Sequence, residues 1–182
     1  MNSEKYQTSI GLRWLSVSML MILPWFAGCA NGSPPKPPIK IPFEVQKAGS
    51  RVETEVRIVE EKEYRFVLMF MFTKGDIEGE TRVEKLAGGG GVDYNGKSTE
   101  PGIPMLLRFK IDIIDSVEER GLFDQEISEL RLSEHASDHY SKRIVYLSLK
   151  PGHYRVSAES LKDVPELIGT PVFFKVGFNS KL

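Results

Sequence analysis

Tyr64-Arg65-Phe66-Val67-Leu68-Met69-Phe70-Met71-Phe72 decides the fold. Tyr64, Phe66, Leu68, Phe70 and Phe72 recur at every second position. Successive side chains of an extended chain point to opposite faces, so this spacing puts five large groups on one side of a strand. An amphipathic helix would space them by three and four. The opposite face is unusual, because it carries Val67, Met69 and Met71. A sheet with one wet side needs a single apolar face. The surplus is read as either covered by a loop, with Gly88–Gly91 as a candidate lid, or presented to a partner as an adaptable methionine surface.

The alternation extends in both directions. Val52, Thr54, Val56 and Ile58 oppose Glu53, Glu55 and Arg57; Met105, Leu107, Phe109, Ile111 and Ile113 oppose Arg108, Lys110 and Asp112. Val145, Leu147 and Leu149, then Tyr154, Val156 and Ala158, then Val172, Phe174, Val176 and Phe178 mark three further strands. Phe123–Ile127 and Arg82–Leu86 are read as shorter strands. Thr73–Asp76 ends a strand, and Pro151-Gly152 reads as a tight hairpin turn. Ser116–Gly121 forms at most one helical turn. Asp163–Ile168 is read as a short helical turn with Pro165 in its first turn. Many half-buried strands with short connections predict an all-β fold, an antiparallel β-sandwich over residues 43–182, with a small β-barrel as the alternative.

Residues before Phe43 have a different composition. Asn31–Pro42 contains five prolines and is read as a polyproline II spacer, reaching roughly 35 Å at about 3.1 Å per residue. Lys5 and Arg13 precede a mostly apolar run, Trp14–Ala27, in the layout of an export signal. The run is shorter than the ~20 apolar residues that span a bilayer.

Phe26-Ala27-Gly28-Cys29 closes that run and holds the only cysteine. It resembles the lipobox of bacterial lipoproteins, departing from it at Phe26, where leucine is usual. The resemblance implies cleavage after residue 28, lipidation of Cys29, and an anchored segment 29–42. Ala30, in place of an aspartate, implies the outer membrane with the domain facing the periplasm. A cleaved signal followed by a free thiol is the alternative. A lone cysteine closes no intrachain disulfide, so the fold stands without one.

Removing residues 1–28 from the 182 leaves 154, enough for one domain with its own core. The 24 basic and 25 acidic residues become 22 and 24 when Lys5, Arg13 and Glu4 leave. No basic excess points to nucleic acid.

Gly91-Val92-Asp93-Tyr94-Asn95-Gly96-Lys97-Ser98 matches the phosphate-loop pattern by letter. That chemistry needs a helix starting at the lysine, and Pro101, Gly102 and Pro104 forbid it. Asn95-Gly96 instead reads as the centre of a type I′ hairpin turn, and no nucleotide is expected. A calcium loop fails because no bidentate glutamate stands at the required spacing. His135, Asp138 and His139 have the residue types of a metal site, and two histidines four apart share a face on a helix. The segment lacks H-E-x-x-H and reads as an exposed polar loop, so no metal or other cofactor is assigned. No G-x-S-x-G elbow appears, and Glu53 with Glu55 reads as a solvated pair.

Val45–Val59 with Lys47-Ala48-Gly49-Ser50, Lys85–Gly91, Leu149–Val156 and Leu161–Leu167 resemble an uncharacterised family of bacterial lipoproteins. The resemblance implies a β-sandwich and assigns no site residues. The expected function is therefore non-enzymatic: an anchored domain engaging a periplasmic protein, as an envelope adaptor or an immunity protein against a toxin. Val67, Met69 and Met71 are the candidate surface. The alternative is a carbohydrate or cell-wall ligand module using Tyr94, Tyr140 or Phe173. An aromatic patch on one sheet face favours sugar, and an apolar strip with a charged rim favours protein.

Overall fold

The structure, a computed structural model, describes residues 33–89, 100–114 and 119–178. The signal segment, Cys29, the phosphate-loop pattern and Tyr94 lie outside the described residues.

Among the described residues, nine strands form two antiparallel sheets. They are β1 (Ile39–Pro42), β2 (Arg51–Ile58), β3 (Lys62–Met71), β4 (Leu107–Ile114), β5 (Glu119–Ile127), β6 (Arg131–His135), β7 (His139–Leu149), β8 (Gly152–Ser160) and β9 (Val172–Phe178). One sheet runs β1-β9-β3-β7-β6 and the other β2-β8-β4-β5, so both are open and the fold is a β-sandwich. The faces read from alternation are the core faces. Phe66, Leu68, Phe70, Leu107, Phe109, Ile111, Val156 and Phe174 are fully buried. Phe109 of the four-stranded sheet lies 5.0 Å from the ring centroid of Phe66 and 6.2 Å from that of Phe174, both on the opposite sheet.

Three expectations are corrected. Arg82–Leu86 belongs to helix α1, Ile77–Ala87. Asp76 caps the helix by accepting from the Gly79 N–H, and Gly88 closes it at φ 85°, donating its N–H to Glu84 O. Val83 and Ala87, one helical turn apart, enter the core.

The second correction concerns Pro151-Gly152. It joins β7 to β8, which lie in different sheets, so this turn is a crossover rather than a hairpin. The short 3-10 helix at Pro165–Leu167 matches its expected helical turn.

The third correction concerns the spacer. Ile39–Pro42 pairs with β9 in antiparallel register, Ile39 opposite Val176 and Pro42 opposite Phe173. Ile39 and Ile41 pack against the core. The Arg57 N–H also donates to Pro35 O at 2.9 Å, so the segment touches both sheets. Proline is tolerated because β1 is an edge strand, where a missing N–H breaks no inner ladder. The sheet thus begins four residues before the boundary drawn at Phe43.

Candidate functional site

Strand pairing assembles two outer faces of opposite character. On the four-stranded sheet, Arg155 reaches Glu55 at 3.0 Å and Glu119 at 2.5 Å. Arg108 and Asp124 form a bidentate pair, each contact 2.8 Å. Lys110 meets Asp112 at 2.9 Å, and Arg51 pairs with Glu53. The hydrogen bond from Arg155 holds the Glu55 carboxyl below its usual range, and that from Arg108 does the same for Asp124. Glu53 and Glu55 therefore serve a network of surface ion pairs. The same Glu55 carboxylate lies 3.0 Å from His153 Nε2.

The outer face of the five-stranded sheet is different. Register places Arg65, Val67, Met69 and Met71 beside Phe173 and Lys175 of β9, and beside His139, Ser141, Arg143 and Tyr146 of β7. Lys40 of β1 and Arg131 and Glu134 of β6 extend it. The Arg65 and Arg143 guanidinium carbons lie 4.9 and 5.2 Å from the Tyr146 ring centroid. Among the described residues neither arginine has a carboxylate within 4.0 Å, the distance that defines the ion pairs of the other sheet. A groove of about 230 Å³ opens here between Arg65, Tyr146, Lys175, Val67, Glu134 and Phe178.

The structure changes the reading of Val67, Met69 and Met71. They do share this outer face, yet Val67 and Met69 are each only 5% exposed. Long side chains of the adjoining strands lie across this face. Lys40 shows how: its ammonium lies 3.4 Å from the Met71 sulfur and 4.2 Å from the Phe173 ring centroid. Gly88 and Gly89, the described part of the expected lid, instead close α1, where the Gly88 N–H and the Gly89 N–H both donate to Glu84 O.

His135, Asp138 and His139 form no ligand set. The segment is a β6–β7 hairpin rather than a polar loop or helix. His135 sits opposite Tyr140 and stacks on it at 4.3 Å, while His139 sits opposite Met71 on the other face. His139 Nδ1 lies 2.6 Å from Asp138, and its Nε2 3.9 Å from Glu134. Among the described residues, no three His, Cys, Asp or Glu side chains converge as metal ligands would. The two described aromatic candidates do not share a platform: Tyr140 is buried, and Phe173 lies on the outer face beneath Lys40.

Alternation also hides a charged group within the core. Lys142 has the parity of Tyr140 and is 2% exposed. Its ammonium donates to Pro101 O at 2.8 Å, and burial pushes its pKa down to about 8. The basic groups of the outer face were present in the sequence, but which of them adjoin depends on strand order.

No curated protein matches this chain. A crystal structure of a protein from Sulfurospirillum deleyianum is similar in fold, with a TM-score of 0.63 and 23% sequence identity, covering 79% of this chain and 98% of that one. Residues 40–178 match a family described as a domain of unknown function. That span contains both sheets from the second residue of β1 to the last of β9, and on it the chain belongs to the family DUF5625.

Proposed function

We propose that this chain is a non-enzymatic, lipid-anchored binding protein that engages a partner protein through the outer face of its five-stranded sheet. Cys29 carries the anchor, in the outer membrane with the domain facing the periplasm. An envelope adaptor and an immunity protein against a periplasm-acting toxin both fit this role. The observation that carries the reading is the contrast between the two outer faces. On one, Arg155 and Arg108 are paired with Glu55, Glu119 and Asp124; on the other, Arg65 and Arg143 lie against Tyr146, on a face that also carries Met71 and Phe173. Arginine and aromatic or methionine side chains are the residues that interfaces favour. Half-buried Met71 and Phe173 bordered by basic side chains favour protein over sugar. The histidines serve local pairings, His153 with Glu55 and His139 with Asp138.

Two experiments test this reading. Palmitate labelling should be present in the natural chain and absent in Cys29→Ser; label in the variant contradicts the anchor. Crosslinking in intact envelopes should trap a protein from the outer face of the five-stranded sheet. Adducts formed only from the four-stranded sheet contradict the assigned face.

A further inference from the structure

We infer that the groove at Arg65, Tyr146 and Lys175 is an oxyanion site that receives a carboxylate side chain from an acidic segment of the partner protein. This deepens the proposed binding role and rests on it. Tyr146 holds two guanidiniums against its ring, at 4.9 and 5.2 Å, and so fixes the direction of their N–H donors. Arg65 Nε is buried and has no hydrogen-bond partner among the described residues. Arg65 and Lys175 both line the groove, and a bound carboxylate would serve the two cations as a shared acceptor. A guanidinium fork matches that group in shape as well as charge.

The chain's own Glu134 shows that the groove attracts a carboxylate without satisfying one. It lines the groove at 4.0 Å from Lys175 Nζ and 3.9 Å from His139 Nε2, both beyond hydrogen-bond length. Its side chain remains 45% exposed. Glu134 also decides between sources of the anion. A uniformly anionic lipid surface laid on this face meets repulsion from Glu134 and Asp138. A polypeptide places its carboxylates one at a time and avoids both.

The test uses the full-length chain in neutral detergent and a fluorescent blocked hexapeptide of glutamate and serine, read by anisotropy. Inorganic phosphate and phosphatidylglycerol vesicles form parallel arms. The expected result is saturable peptide binding that weakens as salt rises. Arg65→Gln should weaken it about tenfold, as loss of one charge-assisted contact implies. Glu134→Gln should tighten it severalfold, an effect that a purely structural role for either residue does not produce. Circular dichroism identifies any variant that misfolds, and Lys175→Gln then serves as the second probe of the cationic wall. The inference is overturned by absence of saturable peptide binding, by binding indifferent to Arg65→Gln and Lys175→Gln, or by vesicle or phosphate binding without peptide binding. If envelope crosslinking from this face persists while the peptide arm fails, the oxyanion site falls and the binding face stands.

Discussion

Arg65 and Tyr146 occupy directly opposed positions in the β3–β7 pairing, and the guanidinium lies 4.9 Å from the ring centroid. A cross-strand cation–π contact of this kind keeps the charge on the outer face of the sheet, beside the groove. The same geometry explains why the outer face is a groove rather than a plain. Long basic side chains lie over a strand whose outward residues, Val67 and Met69, are themselves nearly covered.

Truncating the strand should therefore cost stability on both faces, though unequally. Phe70, fully buried in the core, should lose about 3–5 kcal/mol as alanine. Met69→Ser should also destabilise, by roughly 1–3 kcal/mol, because its side chain is buried. Met71→Ser, at a half-buried position, should change little. Urea unfolding of the three variants checks the ranking, and an unaffected Met69→Ser contradicts it.

β1 should behave as part of the domain. Ile41 opposes Phe174 across the β1–β9 ladder and packs on the core. Ile41→Ser should lower unfolding free energy by roughly 1–2 kcal/mol, somewhat less than a fully buried side chain contributes. A change within about 0.5 kcal/mol, the usual surface range, would restore the spacer reading.

Lys142 should give stability a pH dependence. Its ordinary value of 10.5 applies to the unfolded chain, and burial lowers it to about 8 in the fold. The folded state therefore binds this proton more weakly. Its contribution is complete above about 10.5, is lost as pH falls toward 8, and is flat below that. Unfolding free energy of the natural chain should rise by roughly 1–2 kcal/mol relative to Lys142→Met between pH 8 and 9.5. Parallel profiles would show that the amine is solvated.

Gly88 should not tolerate a side chain. It has φ 85°, and an added Cβ would collide with the backbone of Glu100 and Pro101. Gly102 meets Leu86 and Ala87 in the same way, and the Ile103 N–H donates to Leu86 O at 3.0 Å. Gly88→Ala should cost at least about 1–3 kcal/mol from the backbone conformation alone. A thermal melt reads this directly, and an unchanged midpoint would contradict the close crossing.

The strands were legible because burial on one face leaves a period of two in the side chains. Phe66, Leu68 and Phe70 show it, as do Leu107, Phe109 and Ile111. Helix α1 was misread because its buried positions are few, although the cap residues Asp76 and Gly88 bracket it and Val83 and Ala87 have helical spacing. The prolines of 34–42 outweighed the alternation of Ile39, Lys40 and Ile41, which is the signal of an edge strand. The candidate site was legible only in part. Alternation put Val67, Met69 and Met71 on the outer face, but Tyr146, Arg143 and Lys175 reach it through pairings far apart in sequence, which no local pattern encodes.

The most direct test places a photocrosslinking residue at Met71, and separately at Arg57 on the other sheet, in the full-length protein within intact envelopes. The account predicts a discrete protein adduct from position 71, lost when Arg65→Glu is added, and none from position 57. An adduct from position 57 alone, or one from position 71 that survives Arg65→Glu, would contradict it.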